Sequence, residues 1–146
     1  MGGVILKIAS SGDIADVAGI FARSRAAALS FLPVLHSGAE DIAFFGRYLD
    51  SGLITLAVRA GAKLGFMAEM PGWIEQLYLE PAQRGRGVGK LLVDAAKRRQ
   101  DRLQLWCFRD NLPGRNFYAR QGFIEVGHTD GDNEEGLPDI LFAWDR

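Results

Sequence analysis

The fold of this chain is decided by one stretch, Gln83-Arg84-Gly85-Arg86-Gly87-Val88-Gly89-Lys90, which lies between a segment typical of a strand and a segment typical of a helix. Aromatic and aliphatic side chains alternate with polar ones over residues 73–79, and Pro81 then removes a backbone donor. After the stretch, apolar residues recur at helical spacing as far as Ala96. The glycines therefore fall at a helix N-terminus, where unpaired amides and the helix dipole favour an anion.

Length and composition limit what else the chain contains. Its 146 residues, 48% hydrophobic and 24% charged, predict a single domain over residues 1–146. No apolar run approaches the roughly 18 residues of a membrane span, and the N-terminus lacks the pattern of a secretory signal, so we expect a cytoplasmic protein with no membrane partner. The single cysteine, Cys107, agrees with a reducing compartment. A net charge of -1 argues against nucleic acid as a partner.

The rest of the sequence predicts a mixed α/β domain with a sheet of six to seven strands and about four helices. A first helix begins near Ile14, and a second helix over residues 39–50 turns Ile42, Phe45 and Leu49 toward the core. A strand, a helix and a strand in succession imply a parallel crossover, which puts the anion site at the carboxyl end of the sheet. Strands are expected over residues 4–9, 53–59, 63–70, 73–79, 103–108, 123–129 and 140–144.

Two better-known phosphate motifs do not fit the spacing of the glycines. A P-loop needs a glycine where Arg84 stands, and Ser or Thr where Leu91 stands. The dinucleotide fingerprint needs Gly-x-Gly-x-x-Gly, whereas Gly85, Gly87 and Gly89 alternate strictly. The other alternative is a tight turn with a solvated basic patch. Three glycines are costly for a turn alone, because glycine loses the most conformational freedom on folding.

Two blocks of the sequence share a pattern with one known family. Arg84-Gly85-Arg86-Gly87-Val88-Gly89 matches the signature Arg/Gln-x-x-Gly-x-Gly/Ala, and Leu77-Tyr78-Leu79-Glu80-Pro81 matches the Leu-x-Leu-x-Pro before it. Residues 111–123, Asn-Leu-Pro-Gly-Arg-Asn-Phe-Tyr-Ala-Arg-Gln-Gly-Phe, are similar to Asn-x-x-Ala-x-x-Phe-Tyr-Glu-x-x-Gly-Phe. Gly114 for alanine and Ala119 for glutamate depart from that pattern, and neither removes a reacting group. The two blocks resemble the GNAT superfamily of N-acetyltransferases, whose central mixed sheet fits the predicted order of strands and helices.

This resemblance implies acetyl-CoA as the cosubstrate. In GNAT proteins the amides of the glycine loop and of the following helix hold the pyrophosphate, and the pantetheine arm pairs with the preceding strand like an extra strand. A loop asparagine, here Asn111, commonly contacts that arm. The cofactor-binding residues implied by the resemblance are Leu77, Tyr78, Leu79, Arg84, Gly85, Arg86, Gly87, Val88, Gly89, Lys90, Asn111, Asn116 and Tyr118.

Acetyl transfer to an amine needs a base and an acid. The pKa of an amine lies about three units above neutral pH, so a group must accept its proton before or during attack on the thioester. Glu75, on the strand that faces the cofactor, is the preferred base, and Glu69 is the second candidate. The alternative for both is a solvated or arginine-paired strand residue. The resemblance implies that Tyr118 protonates the departing thiolate, and packing of its ring in the core is the alternative.

Acceptor binding is predicted at a helix break and at a late acidic loop. His36 lies at the break between the first two helices and is a candidate to line an acceptor pocket. Residues 130–139 carry five acids and no base, a pattern typical of an exposed link. The functional hypothesis is that Glu134 and Glu135 attract a cationic acceptor. His128 has no Cys or His partner at metal-ligand spacing, so we predict no metal site.

We therefore expect an acetyl-CoA-dependent N-acetyltransferase that acts on an amine of a small molecule by direct attack in a ternary complex. One alternative is a non-catalytic acyl-CoA-binding or regulatory module on the same fold, which needs neither Tyr118 nor a base. Another is an acetyltransferase that acts on a protein or peptide amine, and the sequence does not separate it from the first. The chain is expected to be a monomer or a homodimer.

Overall fold

The structure is a computed structural model that describes residues 3–146. The predicted single domain over residues 1–146 stays a prediction, and residues 1 and 2 lie outside the described part. In chain order the elements are β1 (Val4–Ile8), α1 (Ile14–Ala28), α2 (Gly38–Tyr48), β2 (Leu53–Arg59), β3 (Ala62–Met70), β4 (Trp73–Leu79), α3 (Val88–Arg99), β5 (Arg102–Phe108), α4 (Leu112–Arg120), β6 (Ile124–Thr129) and β7 (Asp139–Asp145).

All the strands belong to one seven-stranded sheet in the order β1-β2-β3-β4-β5-β7-β6. Among the strands of the described residues, only the neighbours β4 and β5 run parallel, and α3 connects them. Every other neighbouring pair is antiparallel. The predicted mixed class, the parallel crossover and the number of strands and helices are therefore confirmed for residues 3–146.

Helices cover both faces of the sheet because successive strand residues point to opposite sides. On β3, Phe66 packs with the buried side chains of α1 and α2, whereas its neighbour Met67 packs with those of α3. Both side chains are fully buried. Burial of a side chain of this size contributes about 1.5–3 kcal/mol relative to leaving it exposed. The sheet is thus fixed between two apolar layers.

The second helix ends earlier than predicted. Its N-terminus is a capping box, in which Ser37 Oγ accepts from the Glu40 amide and the Glu40 carboxylate accepts from the Ser37 amide. Phe45 is buried as predicted, and Tyr48 is buried with it. The prediction that Ile42 faces the core was wrong, since it is 44% exposed. Each residue advances about 100° around a helix, so Ile42 lies about 90° from the centre of the face that Phe45 and Tyr48 mark.

Glu69, near the end of β3, fastens the sheet to the C-terminal end of α3. Its side chain is 4% exposed and accepts from Arg99 Nε at 3.1 Å and from Gln100 Nε2 at 2.8 Å. An ionised carboxylate is buried at low cost only when it is paired and hydrogen-bonded. These two hydrogen bonds therefore explain why Glu69 is buried, and they give it a role in stabilising the fold.

Strand β4 carries a bulge, at which one of its residues has no partner on β3. Ala68 pairs with Gln76 and Glu69 pairs with Ile74, so Glu75 has no counterpart on β3. Such a bulge redirects a side chain and increases the local twist. The Glu75 carboxylate accepts a hydrogen bond from Tyr48 Oη of α2 at 2.9 Å.

Strands β4 and β5 pair only at their beginnings. Trp73 is in register with Gln104, and the Gln104 amide donates to the Gly72 carbonyl at 2.8 Å. Beyond that point the two strands have no paired residues in the described part of the chain. The sheet is therefore open between β4 and β5 toward their carboxyl ends.

We expect Glu69→Gln to lower the free energy of unfolding by about 1–3 kcal/mol, because the buried carboxylate that pairs with Arg99 is lost. The matched control is Glu125→Gln, which removes the partner of Arg115 on an exposed part of β6. That change is expected to cost less than about 0.5 kcal/mol. Urea denaturation followed by circular dichroism measures both, and equal losses would contradict the structural role of Glu69.

Candidate functional site

The opening between β4 and β5 forms a cleft of about 690 Å³. Side chains and backbone of β4, the glycine loop, α1 and α4 form its walls. The cleft therefore lies at the carboxyl end of β4, where the sequence predicted the anion site. The lining residues that the sequence had singled out are Leu77, Tyr78, Leu79, Arg84, Gly85, Gly87, Gly89, Lys90, Asn111 and Tyr118.

Two glycines of the loop adopt a backbone conformation that other residues rarely tolerate. The φ angle is +73° at Gly85 and +83° at Gly87, which is the N-cap of α3. No side chain caps this helix, so its first amides are not satisfied by a capping residue. Arg84 and Lys90 add positive charge beside them. The N-terminus of α3 thus combines amides that no side chain caps, the helix dipole and two cations at the cleft, of which Lys90 is paired with Asp94 at 2.7 Å.

At the third glycine, Gly89, a side chain is disfavoured by close packing and not by the φ angle. A Cβ atom on Gly89 would stand 3.1 Å from the ring of Phe117 on α4. Gly89 therefore lets α4 approach the first turn of α3. Two other predicted cofactor residues are not among those that line the cleft, since Val88 is fully buried in the core and the Arg86 side chain is exposed.

Asn111 is the N-cap of α4 and lines the cleft. Its Oδ1 atom accepts from the Gly114 amide at 3.1 Å, and its Nδ2 atom lies 3.8 Å from Cys107 Sγ. A Cβ atom at Gly114 would come within 2.4 Å of Asn111 Nδ2, so the glycine at this position matches the capping geometry. Asn116, on the same helix, is exposed and does not line the cleft.

Tyr118 lines the cleft on the side opposite β4. Its ring packs edge-on against Phe117 at 5.1 Å and Phe123 at 5.8 Å. Burial raises the pKa of Tyr118, so the phenol keeps its proton at neutral pH. Burial also raises the pKa of the Cys107 thiol to about 12, which makes this cysteine a poor nucleophile. Tyr118 is therefore one of the protonated hydroxyls that line the cleft, together with Tyr78 and Ser24.

A second cavity of about 970 Å³ lies on the α1 and α2 side of the sheet. The segment between these helices, α2 and the β6–β7 loop form its walls, and β4 contributes Gln76. Leu29 lines both this cavity and the cleft, so the two are neighbours. His36, Glu134 and Glu135, predicted separately from the sequence, are brought together here. We call this space the acceptor-side cavity.

The acidic loop is attached to the wall of this cavity by two ion pairs. Glu134 contacts His36 Nε2, and this hydrogen bond raises the pKa of His36. Glu135 Oε2 accepts from Arg25 Nη2 at 3.1 Å. Glu135 therefore has a cationic partner in Arg25, and Glu134 has one in His36 when that imidazole is protonated. The sequence had no signal for Arg25 or Gln76, because both lie in regular elements without a motif.

The two candidate bases occupy different surroundings. Glu75 is exposed at the bulge of β4, and Tyr48 donates to it. Glu69 is buried near the beginning of β4 and is held by the last turn of α3, away from the glycine loop at the first turn. Neither Glu69 nor Glu75 is among the residues that line the cleft or the acceptor-side cavity, although Gln76, next to Glu75, lines the cavity.

Among residues 3–146, no group of three or more His, Cys, Asp or Glu side chains is arranged to hold a metal ion. The same residues contain no helix that is long and apolar enough to cross a membrane.

A family model described as "Acetyltransferase (GNAT) domain" matches residues 49–125, more than half of the chain. The chain belongs to the GNAT acetyltransferase family. This confirms the resemblance found in the glycine loop and in residues 111–123. Acetyltransferases of the GNAT fold use acetyl-CoA as their cosubstrate.

One curated relative of this GNAT chain is the peptidyl-lysine N-acetyltransferase YiaC of Escherichia coli (strain K12), which is 34% identical over 85 residues. That match covers 58% of this chain and 58% of YiaC, so the chain spans little more than half of its relative.

Solved structures share the fold over nearly the whole chain. A GCN5-related N-acetyltransferase from Rhodopseudomonas palustris is 25% identical with a TM-score of 0.83, covering 100% of this chain and 98% of that one. Apo YjaB from Escherichia coli is 23% identical with a TM-score of 0.81, covering 96% of each chain. The PaiA N-acetyltransferase from Thermoplasma acidophilum, solved with coenzyme A, is 16% identical with a TM-score of 0.79, covering 98% and 99%.

We expect Gly85→Ala to lower the free energy of unfolding by about 1 kcal/mol, because alanine is strained at a φ of +73°. It should also weaken coenzyme A binding, up to about tenfold if the loop shifts. Gly46→Ala is the control, since a Cβ there also meets no atom within 4 Å but the residue is helical. That change is expected to stabilise by up to about 1 kcal/mol. Thermal unfolding and calorimetric titration with coenzyme A test the pair, and similar results for both glycines would contradict the strain argument.

Proposed function

We propose that this chain transfers the acetyl group of acetyl-CoA to a primary amine by direct attack in a ternary complex. The observation that carries the proposal is the opening between β4 and β5, which has the uncapped N-terminus of α3 at one end and the acceptor-side cavity as its neighbour. A donor and an acceptor can thus approach β4 from its two faces. A cytoplasmic location and a monomeric or homodimeric state stay predictions.

Successive parts of the cleft are suited to bind the pyrophosphate and the pantetheine arm of acetyl-CoA. The amides at Gly85 and Gly87 and the first turn of α3, with Arg84 and Lys90, would hold the pyrophosphate. The unpaired edge of β4 at residues 77–79 has backbone groups that need partners. An extended chain with amide groups, such as pantetheine, can supply them by strand addition. Asn111 stands at the opposite wall.

Glu75 is our candidate for the base that accepts the proton of the attacking amine. Its exposure at the bulge leaves the carboxylate accessible, and the hydrogen bond from Tyr48 orients it. Burial raises the pKa of Tyr48, so this donor keeps its proton. Glu69 is less suited, because its oxygens already accept from Arg99 and Gln100.

Tyr118 is our candidate for the acid. The amine nitrogen forms a bond to the acetyl carbon, its proton passes to Glu75, and the bond from carbon to sulfur breaks. The thiolate of coenzyme A then takes the proton of the Tyr118 hydroxyl. A phenol with a raised pKa keeps its proton throughout the neutral range, so its hydroxyl is present as a donor to the departing sulfur.

The acceptor is proposed to be an amine of a small molecule, with the lysine side chain of a peptide as the second candidate. YiaC, a peptidyl-lysine acetyltransferase, supports the second. The acceptor-side cavity of about 970 Å³ is wide enough for either. His36, Glu134 and Glu135 remain candidates for acceptor binding, and in the structure Glu134 contacts His36 while Glu135 pairs with Arg25.

We expect Glu75→Gln and Tyr118→Phe each to lower kcat by about 10²-fold or more, because each removes one proton transfer. Binding of coenzyme A should change by less than about twofold in Glu75→Gln. In the wild-type protein, kcat should not fall between pH 7 and 9.5 through ionisation of the phenol, since a raised pKa favours its protonated form. Stopped-flow and steady-state assays of thiol release measure these effects. A Tyr118→Phe variant with wild-type kcat would remove Tyr118 from the mechanism.

Three probes separate the acceptor classes: putrescine, Nα-acetyl-lysine amide and a seven-residue peptide with one central lysine. A small-molecule enzyme is expected to give the highest kcat/KM with putrescine, and a peptide enzyme with the heptapeptide. Thiol release from acetyl-CoA gives the rate, and mass spectrometry identifies the product. Binding of coenzyme A without thiol release from any of the three would instead favour the acyl-CoA-binding module.

A further inference from the structure

The guanidinium of Arg25, on α1, has three partners from separate parts of the fold. Its Nη1 atom donates to Tyr78 Oη at 3.2 Å, and its Nη2 atom donates to Glu135 Oε2 at 3.1 Å. Its carbon stands 4.9 Å from the centre of the Phe21 ring, at cation–π distance. One side chain therefore joins α1, β4 and the β6–β7 loop.

These partners lie on the two sides of the proposed transfer site. Tyr78 lines the cleft, and its ring packs against Phe21 at 5.1 Å and Phe66 at 6.1 Å. Arg25 and Glu135 line the acceptor-side cavity. The hydrogen bond between Arg25 and Tyr78 thus crosses the wall that the cleft and the cavity share.

The ion pair of Arg25 with Glu135 is shielded from solvent, unlike the pair next to it. The side chains of Arg25 and Glu135 are 19% and 15% exposed. Those of His36 and Glu134 are 45% and 58% exposed. Exposed ion pairs contribute little, whereas an ion pair removed from water leaves a costly unpaired charge when one partner is lost. Arg25 is therefore the stronger of the two attachments of the loop.

We propose that Arg25 is a positioning residue for the transfer reaction, and that Glu135 acts on the acceptor through Arg25 instead of touching it. The guanidinium holds the β6–β7 loop against the acceptor-side cavity and at the same time fixes the Tyr78 hydroxyl on β4. Attack on a thioester requires the reacting atoms in one arrangement, and a displacement of about 1 Å can cost about 10²-fold in rate. This inference rests on the proposed acetyl transfer.

Two neighbouring glutamates provide the comparison, and an aspartate of the same loop provides the control. Direct attraction of a cationic acceptor predicts that Glu134→Gln and Glu135→Gln have similar effects. Positioning through Arg25 predicts that Glu135→Gln has the larger effect. Asp132→Asn removes one negative charge from the loop at an exposed side chain that does not line the acceptor-side cavity.

The test is the steady-state kinetics of these variants, with the wild-type protein's best acceptor among putrescine, Nα-acetyl-lysine amide and the heptapeptide. We expect Glu135→Gln to raise the acceptor KM about tenfold and clearly more than Glu134→Gln, with the Kd for coenzyme A within about twofold. Asp132→Asn should stay within about twofold of wild type. Arg25→Lys should recover part of the kcat/KM that Arg25→Gln loses, because lysine keeps the charge but does not reach both partners in the same geometry.

Three results would overturn the positioning role. These are equal acceptor KM values in the two glutamine variants, an activity loss in Glu135→Gln that only follows its folded fraction, and no recovery in Arg25→Lys. A wild-type protein that releases no thiol with any of the three amines would contradict the proposed function instead. Amide hydrogen exchange over residues 131–137 then tests the attachment itself. Exchange should accelerate in Glu135→Gln and not in Asp132→Asn, and equal rates would refute it.

Discussion

The structure depends on one constraint, the loss of pairing between β4 and β5 after their first residues. A strand inside a sheet normally has its backbone groups paired on both sides, yet in the described residues β4 is paired with β5 only at Trp73, and the rest of that side is an open edge. The bulge at Glu75 adds twist at the place where the two strands separate. Everything that defines the candidate site is arranged around this opening, with the glycine loop at its end and Tyr118 on its far wall.

The same strand also separates the two cavities. Leu77 and Leu79 pack on the α3 side of the sheet, whereas Tyr78 packs with α1 and α2. The cleft is lined by Leu77, Tyr78 and Leu79 and the acceptor-side cavity by Gln76, so one strand presents different side chains to the two spaces. The cleft and the cavity are thus separated by the thickness of one strand, and Arg25 links the two sides through Tyr78 and Glu135.

Much of the fold follows from local chemistry that can be predicted from the sequence. The strands were predicted within a residue or two, because apolar alternation and glycine or proline turns mark their ends. In the second helix the burial of Phe45 was predicted, but Ile42 was wrongly turned toward the core in place of Tyr48, because only the neighbouring elements decide which of the two is buried. The candidate site divides in the same way. The glycine loop and Asn111 are motifs, whereas Arg25 meets a glutamate that is 110 residues away in the chain.

By itself the sequence determined the family and the class of fold. It also determined the turn at Gly85 and Gly87, because a positive φ angle is a local property that only glycine adopts at little cost. Only the tertiary structure decided which of the glutamates are buried and which are exposed to solvent. Glu69 and Glu75 are similar in sequence position, yet one is buried against Arg99 and the other is exposed at a bulge. Glu134 and Glu135 are adjacent, yet only one is shielded. Partners, burial and strand register arise from contacts between distant residues, and no local pattern encodes them.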